Sequence, residues 1–389
     1  MVDITLFGAT GFTGGLTADY LAVHLPHGAT WAIAGRTRAK LEQVAARIAA
    51  TGRTAPEIVV ADLADEESMA RMAADTRVLI STVGPYLQHG EPAVKAAAEA
   101  GIDYVDLTGE PQFVDEMWLK HHETAVRTGA RLVHACGFDS IPYDLGVLYT
   151  IDQLPTGVPI TIKGYIRAKA SFSAGTYQSA LGQISQFRGS QAAAKRRRAK
   201  ERRPAGRRVR GGGSPGRAEP PVKGFGVPLP TLDPQIVLRS ARALDRYGPD
   251  FTYEHYAHFR TRRMLALAAP VLGAVAVGAQ IPPVKALLMR LKASGDGPSE
   301  EQRAASWFTL TLVGEGGGRK VVSTVRGGDP GYTETSKMLA ESAMCLAFDE
   351  LPEVAGQTTT AVAMGSALVN RLQNAGIDFS ARVVEPDGA

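Results

Sequence analysis

The sequence predicts an α/β protein, with an N-terminal doubly wound parallel sheet and a second, mixed α/β domain; three observations carry that reading. Six short apolar runs, ITLF (4–7), WAIAG (31–35), EIVVA (57–61), RVLISTV (77–83), YVDL (104–107) and RLVHAC (131–136), alternate with helix-like segments such as AKLEQVAARIAA (39–50) and EPAVKAAAEAG (91–101). Strands and helices alternating at this spacing build a parallel sheet with crossover helices. The first run breaks into glycines at 8, 11 and 14 and resumes as a helix in GATGFTGGLTADYL (8–21). At 389 residues, 44% hydrophobic and 21% charged, the chain is long enough for a second core.

The glycines fit a dinucleotide cradle of Rossmann type. Gly8 permits the tight turn, Gly11 lets backbone approach a pyrophosphate, and Gly14 lets helix pack on strand. The helix start then supplies N–H groups to the phosphates, with Thr10, Phe12 and Thr13 as the other loop contacts. A turn with no ligand is the alternative. Six strand signals in the expected order weigh against it.

The second strand sets the choice of dinucleotide. A site for NAD places Asp or Glu about 20 residues past the glycines, on the ribose hydroxyls. Here the strand ends in AIAGRTRAK, with Arg36 at its end and Thr37, Arg38 and Lys40 beside it. A guanidinium there suits the 2′-phosphate of NADP, while Arg38 and Lys40 also read as a solvated first helical turn. Asp62, ending the third strand, reads either as a contact to the adenine edge or as a cap of the helix beginning near Asp65. Further loops, TVGPY (82–86), YVDLTGE (104–110) and HACGFDSIPYDLG (134–146), put small or polar residues after apolar strands, facing the nicotinamide half. Gly84 and Pro85 are the cofactor contacts expected there.

Charge is uneven. Residues 195–210, KRRRAKERRPAGRRVR, hold ten Lys/Arg and one Glu, against +4 for the whole chain, so the remainder is mildly acidic. Pro204–Pro230 follows with thirteen Gly or Pro in 27 residues, and 190–230 reads as a disordered or loosely held insertion. No aromatic residue interleaves the arginines, so sequence-specific nucleic-acid binding is not expected. Cys136 and Cys345 show no disulfide or zinc spacing, which fits a reducing cytosol. MVDITLF lacks the pattern of a secretory leader and reads as the first strand.

The second domain holds an uncharged stretch, MLALAAPVLGAVAVGAQIPPV (264–284), flanked by Arg260, Arg262, Arg263, Lys285, Arg290 and Lys292. Its length approaches the roughly 20 residues of a membrane span, but Pro270, Pro282 and Pro283 break any single helix. A pair of short apolar helices packed on the protein or lining a lipid pocket is the first reading, and a membrane-surface anchor the second. WFTLTLVGEGGGRKVVSTVRG (307–327) reads as a hairpin, and TETSKMLAESAMCLAFDEL (333–351) as a helix capped by Thr333 or Thr335. His255 and His258 point to opposite faces if YEHYAHF is a strand, so no metal site is expected.

GATGFTG, AGR, STVGPY, YVDLTGE and ACGFDSIPYDLG, in this order, resemble the saccharopine dehydrogenase-like oxidoreductases, and among them the actinobacterial trans-acting enoyl reductases of polyketide lipid synthesis. The resemblance returns in SFSAGTYQSAL (171–181), GGDPGYTETSKMLAESAM (327–344) and TAVAMGSALVNRL (360–372). The insertion is longer and more basic than the resemblance leads one to expect. The resemblance implies an NADP-binding Rossmann domain at 1–150, a mixed α/β substrate domain at 151–350, and a C-terminal helix and tail at 351–389.

The activity it implies is NADPH-dependent reduction of a carbon–carbon double bond in a hydrophobic acyl or polyketide lipid intermediate carried by a synthase. Such a reaction needs a general acid and an oxyanion partner. Tyr86 and Asp139 are the catalytic candidates; against that, Tyr86 reads as packing on the cofactor without proton transfer and Asp139 as a cap of the helix starting near Ile141, and the packing and cap readings come first. A saccharopine-type amino-acid dehydrogenase would need a cationic clamp, and Arg167 and Lys169, on one face of a strand, do not make a clear one. A non-catalytic NADP-binding lipid-surface protein is the remaining class. The expected location is the cytoplasm, with peripheral contact at the inner face of the plasma membrane.

Overall fold

A computed structural model of the chain describes residues 1–170, 187–202, 204–229, 231–267, 278, 284 and 297–384. The chain opens as β1 (Val2–Phe7), α1 (Phe12–His24), β2 (Trp31–Gly35), α2 (Arg38–Ala49), β3 (Glu57–Val60), α3 (Glu66–Ala74), β4 (Thr76–Ser81), α4 (Tyr86–His89), α5 (Glu91–Ala100), β5 (Asp103–Asp106), α6 (Pro111–Thr128) and β6 (Arg131–Val133). Next come α7 (Ile141–Ile151), β7 (Ile160–Lys169), α8 (Phe187–Lys200), β8 (Arg208–Gly212), β9 (Gly216–Arg217), β10 (Phe225–Pro228), α9 (Asp233–Ala243) and β11 (Asp250–Phe259). The last elements are β12 (Trp307–Gly316), β13 (Arg319–Gly327), α10 (Thr333–Phe348), β14 (Gly356–Thr358), α11 (Gly365–Asn374) and β15 (Asp378–Val384).

Two compact units result, Met1–Asp139 with Ala192–Lys200 and Tyr332–Ala375, and Ser140–Gln191 with Glu201–Gly331 and Gly376–Ala389. The first is a seven-stranded sheet in the order β14-β6-β5-β4-β1-β2-β3, parallel at every pairing. Leu6 lies in register with Ile33 on one side and Ile80 on the other, and all three are fully buried. Helices cover both faces, which is why these strands are apolar throughout rather than alternating. α3, α5 and α6 pack over one face and α1, α2 and α10 over the other.

The second unit is a mixed eight-stranded sheet, β15-β13-β12-β7-β11-β10-β9, with β8 added beside β11. Its inner face, including Ile162, Leu310, Leu312, Val325, Phe251 and Tyr253, is buried, and α7 and α9 pack on this sheet. Gly146 makes the approach of α7 possible, since a Cβ there would lie 2.8 Å from Leu312 and 3.0 Å from Val325. The β12–β13 hairpin forms as expected. β11 is a strand, with His255 buried and His258 half-buried on the opposite face. The described residues hold no cluster of metal-ligating side chains.

Three expectations need correction. The segment 190–230 is not a loose insertion: α8 and β8–β10 fall within it, and β8 runs parallel to β11. Composition missed its tertiary partners. Arg197 is buried in an ion pair with Asp115 at 2.6 Å, Arg207 pairs with Asp245, and Arg210 pairs with Asp250. The glycines serve packing too, Gly211 leaving no more room than the Leu238 side chain allows. The segment 351–389 holds its helix, α11, but is more than a helix and tail: β14 joins the first unit's sheet beside β6, and β15 pairs antiparallel with β13; α10, expected in the substrate domain, belongs to the first unit. Thr333 and Thr335 do not cap α10, whose N-cap is Tyr332 with no side-chain cap bond.

Two further expectations fall outside the described residues. SFSAGTYQSAL lies wholly beyond them, and of the stretch 264–284 only 264–267, 278 and 284 lie within them. Among the described residues no helix is long and apolar enough to cross a membrane.

Candidate cofactor and active site

The C-terminal edge of the parallel sheet collects the loops that follow β1 to β6. Gly8 turns the chain there with φ +96°, and a Cβ on it would meet Thr82 Oγ1 at 2.7 Å and Val83 Cγ2 at 2.8 Å. The loops after β1 and β4 are thus in contact. A Cβ on Gly14 would lie 2.2 Å from the Gly8 carbonyl oxygen, so this glycine is demanded by helix-on-loop packing. Gly11 differs from both. Its Cβ would have the Gly8 oxygen at 3.5 Å as nearest neighbour, an ordinary contact, and its φ of −80° suits any residue. Nothing among the described residues requires glycine at 11.

Gly11 is also the N-cap of α1 and has no side chain with which to cap it. The first turn carries no acidic residue. A thirteen-residue helix therefore turns its positive dipole end toward a glycine, an arrangement that accepts a pyrophosphate. Thr10 and Phe12 are exposed beside it, and the Phe12 ring meets the Tyr332 ring edge-on at 5.0 Å. Thr13 is half-buried, its carbonyl accepting a 3.4 Å hydrogen bond from Ser336 of α10.

One strand along the edge, Arg36 follows β2 with an exposed side chain that has no hydrogen-bond or ion-pair partner among the described residues. Its neighbours Thr37, Arg38 and Lys40 are exposed, and α2 has no acid in its first turn. Asp62 is half-buried after β3 and accepts from Ala64 N at 3.0 Å, closing a turn. The cap of α3 is Asp65, which accepts from Glu67 N and Ser68 N.

The loops after β4, β5 and β6 are tied by two acids, half-buried Glu110 and buried Asp106. Glu110 accepts from the backbone N–H groups of Tyr86 and Leu87, both at 3.0 Å, and fixes the turn that follows the cis Gly84–Pro85 bond. Asp106 takes four donors: Thr108 N (3.0 Å), Ala135 N (2.9 Å), Tyr104 Oη (3.1 Å) and His134 Nδ1 (2.6 Å). Ala135 sits at φ 61°, a strained conformation that this carboxylate helps hold. Nothing in the pattern of YVDLTGE assigns Asp106 or Glu110 these tasks. An acid ending an apolar strand, as Asp106 does, was the available signal.

The two catalytic candidates differ sharply in setting. Tyr86 is buried; its hydroxyl donates to the Ser81 carbonyl at 2.9 Å and accepts from Leu107 N at 3.2 Å. Burial, with Asp106 next, raises its pKa well above the ordinary phenol value. Its proton is committed to the sheet, which supports the packing reading. Asp139 makes no cap bond to α7, whose N-cap is Ser140. Solvent reaches its side chain, yet the mass of protein around it pushes the carboxyl up to about 6.

A parallel sheet with an open-glycine phosphate loop and a basic β2 end defines an NADP-dependent oxidoreductase. Residues 4–133 match the family model described as the saccharopine dehydrogenase NADP-binding domain. A Mycobacterium tuberculosis protein described as a putative trans-acting enoyl reductase is 34% identical over 97% of this chain and 96% of its own length. A Caenorhabditis elegans lipid droplet localized protein is 32% identical, covering 97% of each chain, and the human saccharopine dehydrogenase-like oxidoreductase is 28% identical over 97% and 96%. Among solved structures, apo saccharopine dehydrogenase (L-Glu forming) from Saccharomyces cerevisiae superposes with a TM-score of 0.59 over 99% of this chain and 100% of that one, at 13% identity, which shows a shared fold. The chain belongs to the saccharopine dehydrogenase-like oxidoreductase family, and its first domain binds NADP.

Proposed function

We propose that the protein is an NADPH-dependent enoyl reductase acting on a hydrophobic acyl or polyketide-type lipid intermediate, presented by a synthase. The observation that carries the reading is Asp139, an exposed carboxyl in the loop after β6, free of any cap and held toward its acid form by the protein around it. The mycobacterial relatives, described as trans-acting enoyl reductases and 34% and 32% identical, support the choice of reaction. NADPH supplies the hydride that reduces the β-carbon.

The chain's own residues do the rest. Gly11 and the first turn of α1 hold the pyrophosphate, Arg36 the 2′-phosphate, and Asp62, with an oxygen beyond its turn, the adenine edge. Gly84 and Pro85, held by Glu110 through the next turn, lie along the nicotinamide half. Asp139 gives its proton to the α-carbon as the enolate collapses, and a pKa near neutrality serves that step. Tyr86 is a positioning residue that joins the β4 and β5 loops.

The test is NADPH consumption with a long-chain 2-enoyl thioester as substrate, followed by nicotinamide absorbance. Asp139→Asn keeps the shape and removes the acid; turnover falls about 100-fold or more while NADPH affinity holds. In the wild type, turnover falls as pH rises through about 6, because the acid form of Asp139 is lost. Undiminished turnover by the variant removes Asp139 from the reaction.

A further inference from the structure

The outer face of the second unit's sheet is divided in charge along its strands. Near the start of β7 each cation has an acid: Lys163 pairs with Glu219 at 2.8 Å, and Lys320 with Glu219 at 3.3 Å and Glu315 at 2.7 Å. Toward the ends of β7 and β11 this balance disappears. Register sets Arg167 beside Thr309, Thr309 beside Arg326, and Lys169 beside Trp307. Arg260 follows directly on β11, and Lys169, Arg260 and Arg326 are exposed.

These four cations share one carboxylate in their rows, Asp378, opposite Arg326. The charges that act on Arg167 and His258 are other cations, Arg260 on both and Arg167 on His258. Burial first and Arg260 second lower the pKa of Arg167. Glu300 and Glu301, on the short helix before β12, act on neither. The Arg167 guanidinium lies over the Trp307 ring, 5.4 Å from its centroid. From this end of β11 the chain runs into 261–267, where Met264 and Leu267 are 50% and 76% exposed, and on into the uncharged sequence that begins at 264.

A soluble anion would answer the charge but not the indole, nor the bare apolar side chains that follow Arg260 along the chain. A phospholipid surface answers both, since phosphates lie just outside acyl chains and Trp favours that boundary. We propose that this end of the sheet's outer face docks on an anionic phospholipid surface, with Arg167, Lys169, Arg260 and Arg326 against phosphates and Trp307 at the acyl boundary. The patch is remote in sequence from the cofactor loops, and docking requires no particular substrate.

Sedimentation with vesicles of phosphatidylcholine, with and without phosphatidylglycerol, tests this. The wild type binds the mixed vesicles, not phosphatidylcholine alone, and added salt releases it. Lys169→Glu, Arg260→Glu and Arg326→Glu together weaken mixed-vesicle binding by at least about 100-fold, because each cation near an anionic surface contributes roughly a factor of five. NADPH affinity stays at the wild-type value and shows that the variant is folded; Arg53→Glu, an exposed cation of the first unit, leaves both properties unchanged. If the triple variant does not fold, the lipid and salt dependence of the wild type decides alone. Wild-type binding that ignores phosphatidylglycerol or salt, a triple variant that binds as well as wild type, or a patch that captures an acidic acyl-carrier protein and no vesicle overturns the proposal.

Discussion

Alanine at position 11 and alanine at position 14 should separate the two tasks of the glycine loop. At Gly14 the new Cβ would sit 2.2 Å from the Gly8 oxygen, a backbone atom that cannot rotate away. Either α1 or the turn must move, and overpacking of this kind costs about 3 kcal/mol or more. At Gly11 the nearest atom is 3.5 Å away and φ is −80°, so Gly11→Ala strains nothing among the described residues. Reduced freedom of the unfolded chain should even stabilise it by about 0.4–1 kcal/mol. The methyl group occupies the space through which a pyrophosphate reaches the backbone, and NADPH affinity should fall at least tenfold, or about 1.4 kcal/mol. Thermal melts beside fluorescence titration read both quantities. A Gly11→Ala protein that melts normally and binds NADPH at wild-type affinity refutes the cradle, and Gly11→Val tightens the same test.

The remaining predictions address the basic strand end, the buried ion pair and a buried histidine. Arg36→Glu should weaken NADPH by about 100-fold and leave NADH within a few-fold, since it sets a like charge against the 2′-phosphate; an unchanged ratio in titrations of both nucleotides rejects the assignment. Arg197→Ala should destabilise the first unit by about 3–5 kcal/mol, because the Asp115 carboxylate stays buried after its guanidinium partner is gone, and denaturant melts measure the loss. His255 is pushed down to about 3 by burial, from 6.5, so it folds neutral. Its contribution is intact above pH 6.5 and is lost as pH falls toward 3, by up to about 1.4 kcal/mol per unit. Stability of wild type minus that of His255→Gln, measured at successive pH values, should show this slope.

The first unit was legible because its information is local. Six strands and the glycine loop announce themselves by period, and Arg36 by distance from the glycines. β14 was missed since GQT carries no pattern of its own and becomes a strand only by pairing with β6. The basic segment misled for a related reason. Its charge and glycine content describe an unpartnered chain, whereas Asp115, Asp245 and Asp250, which neutralise it, are distant in sequence. Asp139 and Tyr86 were both visible as polar residues after strands. Only the hydrogen bonds separate them, one hydroxyl consumed by Ser81 and Leu107, one carboxyl left open.

The account's central claim, reduction of a carbon–carbon double bond with NADPH, is tested most directly by where isotopes appear in the product. A 2-enoyl thioester turned over with NADPH deuterated at the transferable position, in ordinary water, should yield a saturated chain with one deuterium at the β-carbon. The same reaction with unlabelled NADPH in heavy water should place one deuterium at the α-carbon. That second label should depend on Asp139 through rate, with the variant forming it about 100-fold more slowly. Recovery of the enoyl thioester without label, while saccharopine is oxidised with NADP, would contradict the claim and return the protein to the amino-acid dehydrogenases.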